Sequence, residues 1–112
     1  MPRIWYVEKK DGFGKWECES VEEVFNVIKE NLSDKVFNDY IDSVEEDYVY
    51  IRHFDRKYKP SEVMQTLSPG YYEEMKKETI LEYIEDIYNT VDQIEENEIE
   101  DIWGFEVTVE YV

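Results

Sequence analysis

The sequence predicts an α+β fold, with a mostly antiparallel sheet of about four strands packed with two main helices. Apolar and polar residues alternate near both ends of the chain, which is the period of a half-buried strand. Between them, apolar residues recur three and four positions apart, which is the period of an amphipathic helix. The 112 residues include only four Gly and three Pro, as expected for a single acidic α+β domain over residues 1–112.

The first two strands are predicted to form a hairpin. Residues 3–8 contain the run Ile-Trp-Tyr-Val, which is rich in β-branched and aromatic side chains. Asp11-Gly12 is a favoured hairpin turn, so the second strand covers roughly residues 13–19. The alternation along that strand puts its charged residues on one face and its apolar residues, Trp16 and Cys18, on the other.

Two helices follow, and each has a recognisable N-cap. Ser20 followed by Glu23 is a capping box, in which the Ser oxygen accepts the Glu23 N–H and the Glu23 side chain reaches back to the backbone. Helical spacing of apolar residues then continues to Leu32. Ser33 is placed to cap a second helix over residues 34–41.

The second half of the chain completes the predicted order β-β-α-α-β-α-α-β. The alternating run over residues 48–54 predicts an interior strand, and the long apolar periodicity after it predicts a helix. The elements are a strand over 48–54, a basic loop over 55–60, a short helix over 61–67, a break at 68–70, a helix over 71–97 and a strand over 99–112 with a bend or bulge at Gly104.

Acidity is the most informative property of the composition. The chain has 29 Asp and Glu against 12 Lys and Arg, for a net charge of −17, and residues 72–112 alone carry −12. Such a chain repels nucleic acid, because it cannot neutralise phosphates. The sign suits basic partners, including proteins that themselves bind nucleic acid. Solubility alone would also explain the charge.

The sequence favours a cytoplasmic protein. No apolar run approaches the roughly 18 residues that a membrane span needs, and no signal peptide is visible after Met1. The single Cys18 cannot form an internal disulfide. A membrane is therefore not expected as a partner, and the negative net charge argues against a nucleic acid.

A catalytic set is not recognisable in this chain, so an enzyme is not expected. His53 is the only histidine and lies on a strand predicted to be half buried. Cys18 lies on the apolar side of its strand, where burial raises a thiol pKa and makes it unreactive. Gly12-Phe13-Gly14 is too short for a phosphate loop, and no stretch has the Asp and Asn spacing of a calcium loop. No cofactor or metal site is predicted.

Carboxylates recur at regular intervals along the predicted elements. Glu17 and Glu19 stand two apart on a strand, which places them about 6.7 Å apart on one face. Such rows resemble the charge spacing of a nucleic-acid strand, so a groove shaped for phosphates would accept them. The other rows are Glu106 and Glu110 on the last strand, and Glu74, Glu78, Glu82 and Glu85/Asp86 on the long helix. For the row on the long helix taken alone, a solvated face of like charges is the simpler explanation.

One short stretch resembles a known family. Residues 15–24 read Lys15-Trp16-Glu17-Cys18-Glu19-Ser20-Val21-Glu22-Glu23-Val24. This stretch resembles a segment of the small acidic DNA-mimic proteins that inhibit uracil-DNA glycosylase, in particular those encoded on bacterial mobile cassettes. Its Glu-Ser-aliphatic core followed by paired glutamates also resembles the phage inhibitor of the same enzyme. The family places a helix before this motif, whereas this sequence predicts a hairpin there.

The resemblance implies an inhibitor that binds the DNA groove of the glycosylase one to one. In the family the Glu-Ser-aliphatic edge lies along the mouth of the active site, and an apolar pocket takes up the leucine that the enzyme inserts into the duplex. The matching positions here are Glu19, Ser20 and Val21 for the Glu-Ser-aliphatic core, Glu17 for an acidic residue of the cassette type, and Glu22 and Glu23 for the paired glutamates.

The apolar pocket has candidate residues at the start of the predicted helix. Val24, Phe25 and Ile28 lie on its apolar face and, with Val49 and Ile51, could line a pocket for a protruding leucine. A place in the core is the simpler explanation of each of these residues. Two other hypotheses remain open: a DNA mimic directed at another enzyme, of anti-restriction or anti-CRISPR type, and a plain acidic interaction module.

Overall fold

The computed structural model describes residues 2–44, 49–51 and 56–112, and the α+β class is confirmed. Its elements, in chain order, are β1 (Arg3–Lys9), β2 (Lys15–Cys18), α1 (Val21–Asn31), α2 (Asp34–Val44), β3 (Val49–Ile51), β4 (Arg56–Tyr58), α3 (Pro60–Leu67), α4 (Pro69–Glu82), α5 (Ile84–Asp92), β5 (Glu100–Ile102) and β6 (Phe105–Tyr111).

The chain divides into two compact units. The sheet unit comprises Met1–Leu32 and Thr79–Val112, and the helical unit comprises Ser33–Glu78. A single domain over residues 1–112 stays a prediction.

The sheet unit is built on a four-stranded antiparallel sheet in the order β2-β1-β6-β5. The predicted end strands pair at its centre, with Val7 opposite Val107 in the β1–β6 register. Because alternate side chains share a face, the buried residues of these strands all lie on one side. That inner face carries Trp5, Val7, Cys18, Ile102, Phe105, Val107 and Val109.

Helices α1 and α5 pack against each other and contact strands of this sheet. The ring of Phe25 on α1 meets the ring of Tyr88 on α5 edge-on, with centroids 5.5 Å apart. At the end of α5 the indole N–H of Trp5 donates to the Val91 carbonyl at 3.1 Å. The Arg3 guanidinium donates to the Asp92 carbonyl at 2.9 Å and pairs with its carboxylate. Side chains of strand β1 therefore donate hydrogen bonds to two carbonyls in the last turn of α5.

The predicted long helix over residues 71–97 is wrong in its continuity and in its end. It consists of α4 and α5, separated at Tyr83, and α5 ends at Asp92. The Tyr83 N–H donates to Ile80 three residues back, and the Ile87 N–H then donates to Tyr83 to begin α5. A one-residue interruption leaves the apolar periodicity almost intact, so the pattern of residues could not reveal it.

The predicted closing strand over residues 99–112 is a hairpin of β5 and β6. Its turn is Trp103-Gly104, with φ angles of 50° and 82°. Two successive positive φ values are the geometry of a tight two-residue hairpin turn, so Gly104 is a turn residue and not a bulge.

In the helical unit β3 pairs antiparallel with β4 in a separate two-stranded sheet. The predicted basic loop over residues 55–60 is therefore wrong at Arg56–Tyr58, where backbone pairing makes a strand of residues that lack an apolar pattern. Residues 48 and 52–54 of the predicted strand, His53 among them, lie outside the described residues. Helix α3 begins at Pro60, and the Asp42 carboxylate accepts hydrogen bonds from the Ser61 N–H and O–H.

Tyr72 is the buried polar centre of the helical unit, with 1% of its surface exposed. Its hydroxyl donates to Asn38 Oδ1 at 2.7 Å and lies 3.3 Å from Asp34 Oδ1. Lys76 pairs with Asp34 at 2.8 Å, and its ammonium lies 5.7 Å from the centre of the Tyr72 ring. Burial and, secondarily, the charge of Asp34 raise the pKa of Tyr72 above its ordinary value of 10.0.

We expect the Tyr72 phenol to make the free energy of unfolding decrease at alkaline pH. The folded state binds the Tyr72 proton more tightly than the unfolded state. The contribution of Tyr72 to the free energy of unfolding is therefore complete below about pH 10 and is lost as the pH rises above it. Urea unfolding between pH 8 and 11.5 should show a steeper loss of unfolding free energy in the wild type than in Tyr72→Phe. The exposed neighbour provides the control variant, Tyr71→Phe, which should retain the wild-type slope. Equal slopes for all three proteins would contradict the assignment.

Candidate functional site

The junction of β2 and α1 forms a corner, defined here as residues 17–23, that is braced by hydrogen bonds. Ser20 is the N-cap of α1, with extended φ and ψ of −144° and 159°. The Glu23 N–H donates to Ser20 Oγ at 3.1 Å, and the Glu19 N–H donates to Glu23 Oε2 at 2.7 Å. The predicted capping box is confirmed, although its carboxylate reaches the N–H of Glu19 rather than that of the cap residue.

The corner presents the predicted carboxylates to solvent. Its exposed side chains are Glu17, Glu19, Glu22 and Glu23, while Ser20 and Val21 are half-buried. Both Glu22 and Glu23 lie in the first turn of α1, where the partial positive charge of the helix terminus favours anions. All six matched positions therefore lie at this junction, but β2 ends at Cys18, so the prediction that Glu17 and Glu19 share one face of a strand is wrong.

Cys18 anchors the inner side of the corner. Its side chain is buried on the core face of β2, and burial, with the charge of Glu23 as a lesser cause, raises the pKa of its thiol. A raised pKa keeps the thiol protonated at neutral pH. The inner side of β2 is thus core, and Lys15 and Glu17 are exposed on its outer side.

The candidate pocket residues on α1 are not available to a partner. Val24, Phe25 and Ile28 are 0%, 2% and 0% exposed, respectively, so these predicted partner-binding residues belong to the core. The reason is that α1 packs on α5 and on the sheet through its apolar face. The prediction had assigned this same face to a pocket for the leucine of the glycosylase. The side chains of Val49 and Ile51 lie outside the described residues.

The second face of the sheet, here called the outer face, carries further carboxylates that continue from the corner. Glu17 is opposite Tyr6, and Glu8 on β1 is opposite Glu106 on β6, which is opposite Asp101 on β5. Opposite side chains on neighbouring strands stand only about 4.5–5.5 Å apart at Cβ. The sequence predicted the Glu106 row on its own, but strand pairing was needed to bring Glu8 and Asp101 beside it.

The charges of the outer face are only partly compensated. Lys15 lies 3.7 Å from Glu8, and Lys10 forms an ion pair with Asp101. The Tyr6 hydroxyl donates to Glu110 Oε2 at 2.9 Å, and this hydrogen bond is the main cause that raises the pKa of Tyr6. Like charges directly opposite one another destabilise a sheet. The facing carboxylates Glu8, Glu106 and Asp101 are therefore unfavourable for the stability of the sheet.

A depression of about 290 Å³ lies beside the corner. It is lined by Tyr6, Val7, Glu8, Lys15, Trp16 and Glu17, all from β1 and β2. The half-buried side chain of Tyr6 lies on the outer face, whereas Trp16, opposite Val7, lies on the inner face with its ring centroid 6.1 Å from that of Phe105. Sequence reasoning missed this feature, because only the pairing of β1 with β2 brings Tyr6 opposite Glu17.

The acidic row of the predicted long helix does not form one continuous surface element. Helix α4 ends at Glu82 and α5 begins at Ile84, so Glu74, Glu78 and Glu82 lie on one helix and Glu85 and Asp86 on the next. All five side chains are exposed. The regular helical interval that suggested a row of phosphates therefore ends at Glu82.

We expect the Ser20 cap to hold the corner in place. Ser20→Ala removes the acceptor of the Glu23 N–H and should lower the free energy of unfolding by about 1 kcal/mol. Ser20→Asp retains a capping oxygen and should lower the free energy of unfolding by only about 0.3 kcal/mol. Chemical denaturation of the three proteins measures the difference. If Ser20→Ala unfolds at the same denaturant concentration as the wild type, the cap is not what braces the corner.

The structure describes residues 2–44, 49–51 and 56–112. Within them, no three His, Cys, Asp or Glu side chains converge on a point where a metal ion could bind. None of the helices in that part of the chain combines the length and the apolar character needed to cross a membrane. Comparison with family models, curated protein sequences and solved structures gives no match for this chain.

Proposed function

We propose that the protein is a DNA mimic that inhibits uracil-DNA glycosylase by occupying its DNA groove. The observation that carries the proposal is the corner, whose exposed carboxylates are held at a capped strand-to-helix junction and continue into an acidic outer face. The motif that resembles the inhibitor family lies on this corner. The proposal places the protein in the cytoplasm, where such an enzyme meets DNA.

Rigidity supports the use of the corner as an interface. Glu17 lies in a paired strand, and Glu22 and Glu23 lie in the first turn of a capped helix. Side chains on a preorganised backbone lose less entropy on binding than the same residues on a mobile segment. Carboxylates held in this way can replace phosphates without the cost of ordering a chain.

Charge supports the class of partner. A net charge of −17 favours encounter with a positively lined groove and disfavours contact with DNA itself. Exposed charges at the rim of an interface mainly accelerate association, and buried anchors supply much of the affinity. The pocket residues predicted from the sequence, Val24, Phe25 and Ile28, are buried and do not admit a partner's side chain. The depression beside Glu17 is therefore the place where an apolar side chain of the enzyme enters.

An activity assay tests the proposal directly. Purified glycosylase releases uracil from a labelled oligonucleotide, and an equimolar amount of this protein should abolish the release. An acidic protein of similar size and charge serves as the control for non-specific effects. Undiminished uracil release at a tenfold excess of the protein would exclude the proposed target.

A capture experiment separates the alternatives. The immobilised protein should retain the glycosylase from a bacterial lysate, and added duplex DNA should compete for it. The outer face extends beyond residues 15–24, so a mimic directed at a restriction or CRISPR enzyme would use the same charges. Capture of such an enzyme in place of the glycosylase would support that alternative, while binding that DNA does not compete would indicate a plain acidic interaction module.

A further inference from the structure

A second recess lies at the opposite edge of the sheet from the corner. It is a cleft of about 380 Å³ lined by residues of α5, its N-cap and the β5 segment. Strands β2 and β5 are the two edges of the sheet, and three strand spacings, or about 14 Å, separate them. The cleft therefore lies away from the corner, and it shares only Asp101 with the outer face.

Two aromatic rings form one wall of this cleft. The centroids of Tyr83 and Trp103 are 5.4 Å apart, and their planes are tilted by 59°. Both side chains are half-buried, so part of each ring is accessible. The face of an aromatic ring attracts a cation, most strongly when the ring is that of Trp.

Three carboxylates also line the cleft, together with Ile87, Thr90 and Ile102, and none of these lining residues is basic. The acidic residues are Asp86 on α5 and Glu100 and Asp101 on β5. Lys10, from outside the cleft, pairs with Asp101. Among the described residues, neither Asp86 nor Glu100 forms an ion pair. A recess walled by low-dielectric rings and uncompensated carboxylates concentrates negative potential.

We infer that this cleft binds an arginine side chain of a protein partner. A guanidinium is planar and can stack on an aromatic face while it donates paired hydrogen bonds to a carboxylate. The cleft offers both features, since the rings of Tyr83 and Trp103 and the carboxylates of Asp86 and Glu100 all belong to its lining. An ammonium has no flat face to stack and is more strongly hydrated, so lysine fits less well.

The turn at Trp103 provides a variant that removes the ring and keeps the backbone geometry of the hairpin turn. Trp103 has a φ of 50°, in the left-handed region that a bulky residue rarely adopts, and Gly104 follows at 82°. Asn-Gly is the favoured pair for this turn. Trp103→Asn therefore removes the ring from the cleft while it suits the hairpin better than the native residue.

NMR titration with short peptides tests the inference. The peptide Gly-Ser-Arg-Ser-Gly, blocked at both ends, should shift the Trp103 indole signal and the backbone amides of Tyr83 and Thr90. The same peptide with citrulline, which keeps the shape of arginine without its charge, should bind at least tenfold more weakly. A lysine peptide should fall between the two. Free L-arginine should bind more weakly than the arginine peptide, because the acidic cleft repels its α-carboxylate.

Two variants complete the test. Trp103→Asn and Asp86→Asn, each followed through the Thr90 amide, should each weaken binding of the arginine peptide at least fivefold. Equal binding of the arginine and citrulline peptides would overturn the inference, as would unchanged binding to both variants or shifts as large at the Trp16 indole as at Trp103. Tighter binding of free arginine than of the peptide would show a metabolite site and not a protein contact.

Discussion

The double charge reversal Glu17→Lys/Glu19→Lys is expected to weaken inhibition of uracil-DNA glycosylase by about 100-fold or more. In the proposed complex these two carboxylates replace phosphates in a groove lined by basic residues. Reversing them replaces two attractions with two repulsions, and like charges brought together in an interface cost several kcal/mol. Both side chains are exposed and neither is an N-cap, so the fold should be retained.

The measurement is the inhibition constant in the uracil-release assay, determined at 50 mM and 300 mM salt. The matched control is Glu74→Lys/Glu78→Lys, which makes the same change of net charge on the exposed side of α4. This control should lose less than fivefold. The difference between the two variants should shrink at the higher salt, because screening weakens exposed charge pairs.

Two results would contradict the assigned role of the corner. Equal losses in both double variants would mean that net charge alone drives binding and that residues 17–23 have no special part. Full inhibition by Glu17→Lys/Glu19→Lys would remove the corner from the interface, even if the protein proved to be an inhibitor. Circular dichroism of each variant verifies that it is folded before its inhibition is compared.

Trp5→Ala is expected to lower the free energy of unfolding of the sheet unit by about 3–5 kcal/mol, the largest single effect on stability predicted here. Trp5 is 3% exposed in the centre of the sheet, opposite Cys18 on β2 and Val109 on β6. Its removal leaves a cavity in the core and takes away the ring under the Arg3 guanidinium, which lies 4.7 Å from the ring centre. It also takes away the indole N–H that donates to the Val91 carbonyl at the end of α5.

Trp5→Phe separates the hydrogen bond from the volume of the side chain. It retains most of the apolar contact but leaves the Val91 carbonyl with only the longer hydrogen bond from the Ile94 N–H, at 3.4 Å, which should cost about 1 kcal/mol. Phe13→Ala is the control, because Phe13 is 88% exposed in the hairpin loop and its truncation should change stability by less than about 0.5 kcal/mol. Denaturant unfolding followed by far-UV circular dichroism gives all three values. A loss below 1 kcal/mol for Trp5→Ala would show that the indole is not central to this core.

Local patterns predicted much of the secondary structure because they depend on near neighbours in the chain. The hairpin signal at Asp11-Gly12, the capping box at Ser20 and the alternation of β6 all act within a few residues, and each is observed. The interruption at Tyr83 and the strand β4 were missed for the opposite reason. The first preserves apolar periodicity, and the second is a strand only because β3 pairs with it.

The candidate site divides in the same way. The sequence alone determined that the protein is strongly acidic and that Glu17, Glu19, Glu22 and Glu23 stand around a helix cap, since charge and capping are properties of adjacent residues. The tertiary structure alone decided that Val24, Phe25 and Ile28 are core, that Glu8, Glu106 and Asp101 extend the acidic surface, and that Tyr83 and Trp103 form a cleft. Burial and cross-strand neighbours depend on which distant segments pack together, and an isolated stretch of sequence does not contain that information.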